Sequence, residues 1–205
     1  MITGWRLAGL LSLLLVAMSF CLLTNHAWDI EGIRQVIRAT ARTSLVLFVL
    51  AFTASAMAAL APNAATRWQR QNRRYLGVSF AVSHLIHLGA ILALASVDRS
   101  LFWQLTNIMT ILLAGAAYLF IAAMAATSFD AAAAWLGPRN WRRLHLIGAW
   151  YIWISFAVAV GKRVPFDSFY WPMAALVLAA AAVRLIAMFR RGGKAAAFGA
   201  SEARG

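Results

Sequence analysis

The stretch "SHLIH", residues 83–87, places two imidazoles inside an otherwise apolar run, and a third follows in "WRRLH" at His145. His84 and His87 are i and i+3, so on a helix they share roughly one side. Neutral imidazoles contributed by two helices are a usual means of holding heme iron inside an apolar bundle. Zinc is served less well. Helical zinc pairs favour i,i+4 spacing, and no cysteine or acid stands nearby as a further ligand. A membrane histidine can also be a plain interhelical hydrogen-bonder, and that reading stays open for each of the three. His26 reads as an interfacial residue at the end of the first apolar run.

The rest of the chemical inventory is thin. Asp29, Glu31, Asp98, Asp130, Asp167 and Glu202 all fall in loops, at helix ends or in the tail. That removes the buried carboxylate relay of proton-coupled transporters. It also removes any Ser/His/Asp set within the membrane. The lone Cys21 excludes an internal disulfide framework and a CxxC pair, and reads as a small apolar helix residue.

These histidines must be carried by membrane helices. The chain has 205 residues, 63% of them hydrophobic, and a mean hydropathy of +0.74; soluble domains are about 45–50% apolar. Leu7–Leu23, Thr43–Ala61, Tyr75–Val97, Ser100–Phe129 and Leu144–Gly161 contain no formally charged residue. Each is near or above the roughly 17–25 residues that cross hydrocarbon. Ser168–Val183 makes a sixth span if Arg184 snorkels toward the headgroups. A signal peptide is the alternative for the first run, since Arg6 precedes it. The run is longer than a usual h-region, however, and no A-x-A-like site follows.

The expectation is an all-α, polytopic integral membrane protein, a six-helix bundle occupying residues 1–190. Its helices are expected near 5–23, 43–60, 75–97, 101–127, 141–161 and 169–189, with a disordered tail over 191–205. "WDIEGIRQVIRATAR" suits a short amphipathic helix in the interface, with Asp29 as N-cap. The net charge of +13 suits topology and anionic lipid rather than nucleic acid. Arg67, Arg70, Arg73, Arg74, Arg139, Arg142, Arg143, Arg190, Arg191 and Lys194 fall on one side of an alternating bundle. That bias puts both termini in the cytoplasm.

Depth bears on whether the histidines meet. Measured from Leu76, His84 is about 12 Å and His87 about 16 Å along a helix at 1.5 Å per residue. His145 is only about 6 Å beyond Trp141. A shared site therefore requires the fifth span to begin lower than Trp141, or to tilt.

Three stretches carry a resemblance. "RRYLGVSFAVSHLIH" resembles the start of the third helix of the ferric reductase-like transmembrane domain family. There, a basic pair and Leu-Gly lead about ten residues later to a heme-ligating His, and counting from Gly77 lands on His87. "ATSFDAAAAWLGPRNWRRLHLIGAWY" resembles the family's link into helix 5, through Thr127, Ser128, Leu136, Gly137, Trp141, Arg142, Leu144 and His145. "RATARTSLVLFVLAFTAS" is similar to the start of helix 2. The pattern is similar to bacterial heme b membrane subunits of the methionine sulfoxide reductase system, in the inner membrane, and covers about residues 38–160.

The resemblance implies one heme b between helices 3 and 5. Its axial pair would be His87 and His145, with His84 the alternative on helix 3. Arg73, Arg74, Arg142 and Arg143 would be candidate propionate partners, since guanidinium suits carboxylate, or simply topology charges. Two-heme relatives carry a second His about 13 residues further along helix 5; here that position is Val158. One heme covers part of the membrane thickness, so a full path would need a quinone, a partner protein or a dimer. The chain has no GxGxxG, so FAD or FMN enters only through a partner. The expected role is then an electron-transfer component between a cytoplasmic flavoprotein or quinol and an acceptor. A non-enzymatic membrane scaffold or assembly factor on the same fold, or a small transporter, are the alternatives.

Overall fold

Asp29 opens the longest early helix as its cap: its carboxylate accepts from Gly32 N at 2.7 Å, satisfying a helix N-terminal N–H that has no partner within the helix. The computed structural model describes residues 2–202, and the side chains of 2–190. Its helices are α1 (Gly4–Asn25), α2 (Ile30–Leu60), α3 (Ala64–Gln71), α4 (Arg73–Val97), α5 (Arg99–Leu105), α6 (Ile108–Ala126), α7 (Asp130–Leu136), α8 (Pro138–Gly161) and α9 (Trp171–Glu202), with a 3-10 turn at Ser168–Tyr170 before α9. No strand occurs among the described residues. Six segments are long and apolar enough to cross a membrane: α1, α2, α4, α6, α8 and Ser168–Arg190. The fold is an all-α, six-span bundle. Leu13, Leu85 and Leu119 point outward, each more than three-fifths exposed, as lipid-facing side chains do.

α2 is the central helix. Half of its most apolar window is buried, against 11% for α6. Its tightest neighbour is α4, along a seam of small hydroxyl residues. Thr40, Ser44, Ser79 and Ser83 are fully buried there. Ser83 Oγ lies 2.9 Å from both Thr43 Oγ1 and Ser44 Oγ. Small hydroxyls let backbones approach closely and hydrogen-bond across the gap. Further inward Phe48 packs on Phe52, Phe80 and Phe156, at ring separations of 5.1, 5.4 and 5.4 Å.

Several boundaries differ from those expected. The amphipathic stretch before Thr43 is not a separate interfacial helix; it is the first half of α2. Nothing between Ile30 and Thr43 breaks a helix, and Glu31 pairs with both Arg34 and Arg38, so each of these arginines has a carboxylate partner on its own helix. Ile33, Val36 and Thr40 turn inward. The basic loop after α2 contains α3, held by a reciprocal Asn63–Thr66 capping box. The fourth span starts at Ile108 because Asn107 caps it, accepting from Thr110 N at 2.9 Å; α5 precedes it separately. α7 occupies the loop before α8, and α8 begins at Pro138 after Gly137, whose φ of +79° is a left-handed conformation suited to glycine. α9 continues past the last span into the stretch expected as a disordered tail, and 203–205 lie outside the described residues.

The α6–α8 contact depends on Gly148. A Cβ built there would stand 2.6 Å from Met124 Sδ and 3.1 Å from Phe120 Cδ1. Met124 is flexible and can move, but the Phe120 ring cannot yield as freely. Gly148→Ala is expected to lower stability by about 1 kcal/mol, read as an earlier midpoint in detergent-denaturant unfolding.

Candidate functional site

His87 is tied to α2. Its Nδ1 is 3.0 Å from Ile37 O and 3.0 Å from Thr40 Oγ1. A carbonyl only accepts, so Nδ1 carries the proton and donates to Ile37 O. The hydroxyl of Thr40 donates to Val36 O, leaving its oxygen to accept as well. Nε2 is then the bare nitrogen. A ring N–H donated to a backbone carbonyl is the usual way a metal-binding imidazole is oriented and its tautomer set.

His84 lies beside it, with ring centroids 5.3 Å apart. It is enclosed by Phe80 at 5.3 Å, Tyr118 at 5.0 Å and Phe156 at 5.9 Å. His84 Nδ1 and Tyr118 OH are both buried without a hydrogen-bond partner. Two such polar atoms in one apolar enclosure are costly, at roughly 1–3 kcal/mol each.

His145 sits elsewhere. Its Nε2 is 3.1 Å from Thr127 Oγ1, at the C-terminal cap of α6. Trp141 stacks on it at 4.2 Å and donates from Nε1 to Thr127 O at 3.0 Å. The antiparallel register of α6 and α8 sets the separation. His145 meets Thr127, Gly148 meets Met124, and Tyr151 meets Phe120. His84, by contrast, meets Tyr118 on α6 and Phe156 on α8. Tyr118 is about nine residues from Thr127, or roughly 13 Å of helix rise. The structure therefore brings His84 and His87 together and does not bring His145 to them. α8 does begin one turn below Trp141, as a shared site requires, but that turn is too little. Level with the α4 pair, α8 presents Phe156.

The expected propionate partners are also separated. Arg74 is engaged by Asp130 at 2.8 Å and lies over Trp5. Arg142 and Arg143 are exposed, and Arg142 Nε donates to Pro138 O at 3.1 Å. Arg73 turns inward, with Nη1 3.4 Å from Ser55 Oγ. Further along α8, Tyr151 OH donates to Leu113 O and Trp153 Nε1 to Val177 O, while Phe156 meets His84.

Among the described residues no three His, Cys, Asp or Glu side chains form a metal-holding group. The residues on α4 offer a single oriented imidazole: His87 has the tautomer of a ligating ring, and its neighbour His84 stands among aromatic rings. The residues do not fit a His87–His145 axial pair across α4 and α8 in this arrangement. Sequence reasoning did not single out Thr40 or Tyr118. A hydroxyl one helix away leaves no local pattern, although Thr40 does follow Val36 and Ile37 on the inward face of an amphipathic stretch. No family model, curated protein or solved structure matches the chain.

Proposed function

We propose that the chain is a membrane-embedded electron-transfer component that holds a single heme b, with His87 as the ligand from α4. The observation that carries this reading is the Nδ1–H of His87 donated to Ile37 O, which leaves Nε2 unprotonated on a part-buried ring. When bound, heme b supplies a one-electron carrier. The chain's own part is to orient the imidazole through Ile37 and Thr40. It also excludes water with Phe80 and Phe156, and keeps His84 as the neighbouring alternative ligand. The resemblance of "RRYLGVSFAVSHLIH" points to the same cofactor.

In this reading the donor is a cytoplasmic flavoprotein or quinol, and the acceptor is a partner protein or quinone. The basic bias of one end of the bundle supports an inner-membrane protein with both termini in the cytoplasm. The test is the reduced absorption spectrum of the purified chain with a pyridine hemochrome count. About one b-type heme per chain is expected. A heme-free protein that retains its cellular function would sink the proposal.

A second reading has its own support. Every hydrogen bond made by His87 and His145 joins two helices, which is what histidines in a redox-inactive membrane scaffold or assembly factor would do. Full partner assembly with no heme at any stage favours it.

A further inference from the structure

Arg184 was expected to reach out toward the headgroups. Instead it lies inward, with its guanidinium 4.1 Å from the centroid of Phe52 and 5.4 Å from that of Trp150. Stacking on two rings fixes the plane of the fork and keeps its donors available. Arg73, the first residue of α4, lines the same pocket with Ser55 and Met188. Two guanidiniums at one pocket repel each other, and more strongly away from bulk water. Ion pairs among the described residues join Arg34 and Arg38 to Glu31, and Arg74 to Asp130. Neither Arg73 nor Arg184 belongs to one. The charge at this pocket calls for an oxyanion from outside the chain.

Depth and surroundings say which kind. Ser55 is about 7 Å of helix rise inside the end of α2, and Arg184 about 9 Å inside Arg190. Both lie within about the last two turns of their spans, at the end of the bundle that carries Arg67, Arg70 and Arg190. Next to Arg184 on α9, Leu185, Ile186, Met188 and Phe189 are exposed, an apolar flank for acyl chains. The pocket is about 80 Å³, against roughly 300–1,000 Å³ for drug-sized ligands. It suits one phosphate group attached to a larger apolar body. Basic pockets between membrane helices take anionic headgroups in this way.

We propose that Arg73 and Arg184 form a binding site for the phosphate of an anionic lipid, between α2, α4 and α9. The test uses the full chain, delipidated in a neutral detergent. Short-chain phosphatidylglycerol, phosphatidylcholine and inorganic phosphate are added separately. Thermal midpoint and native mass spectrometry are read, with heme content of the same samples. Phosphatidylglycerol is expected to raise the midpoint and remain bound while phosphatidylcholine does neither. Arg184→Gln and Arg73→Gln are expected to weaken it about tenfold or more, and Arg190→Gln to leave it unchanged. If the pocket variants fail to fold, the comparison of the two lipids on the native chain decides alone. Equal retention of both lipids overturns the proposal. So does stabilisation by inorganic phosphate without any by phosphatidylglycerol. Loss of heme in the Gln variants with lipid preference intact would assign the arginines to a propionate and overturn it too.

Discussion

His87→Ala is expected to strip the chain of heme, lowering heme per protein by more than about tenfold, whereas His145→Ala is expected to leave most of it bound. The contrast follows from geometry. His87 presents a bare Nε2 because its other nitrogen donates to Ile37 O. His145 instead turns Nε2 to Thr127, some 13 Å of helix rise away from the level of Tyr118. Optical spectra of both variants in native membranes, each normalised to protein, provide the measurement. His84→Ala serves as the third arm, since its ring is the only other imidazole at that level. Equal loss of heme from His87→Ala and His145→Ala would show that α8 slides inward by more than two turns when the cofactor binds. Heme retained in His87→Ala but lost in His84→Ala would move the ligand three residues along α4.

Ser83→Leu is expected to be the most damaging single change to the fold. Ser83 is fully buried between α2 and α4, with hydroxyls of Thr43 and Ser44 each 2.9 Å away. A leucine there must separate the two most closely packed helices, at a cost of about 1–3 kcal/mol in packing. It also strips partners from hydroxyls with no water to replace them. Ser83→Ala keeps the spacing and loses only hydrogen bonds, so about 0.6 kcal/mol is expected. Unfolding titrations in mixed micelles would rank the two. A Leu variant as stable as the Ala variant would mean that the seam does not set the α2–α4 distance. Because Ile37 and Thr40 orient His87 across the same seam, Ser83→Leu is also expected to lower heme content.

Much of the architecture was legible because a membrane span declares itself locally. A run such as Tyr75–Val97 needs only its own composition to be recognised. Asp29 as a cap was legible for the same reason: the cap reads the three residues that follow it. The continuity of α2 through Ile30–Thr43 was less so. Amphipathic character in that stretch is compatible with lying on a membrane or with packing inside a bundle. The choice rested on the burial of Ile33, Val36 and Thr40 within the bundle, with Thr40 against His87 of α4. Arg184 carries the same kind of ambiguity. A lone arginine near a span's end can snorkel or turn inward, and Phe52 with Trp150 provided the inward alternative.

The sequence by itself determined that six apolar helices form, that their ends are basic on one side, and that three histidines ride on the third and fifth spans. Those properties depend on residue type and spacing along a single segment. Only the tertiary structure decided which imidazoles share a depth. That depends on where α8 starts, on its register against α6 through Thr127, Met124 and Phe120, and on the contact of Phe156 with His84. A slide of one turn costs the local pattern nothing, yet moves a side chain by about 5 Å. For the same reason no local pattern shows that Arg73 and Arg184, from spans far apart in the chain, line one pocket.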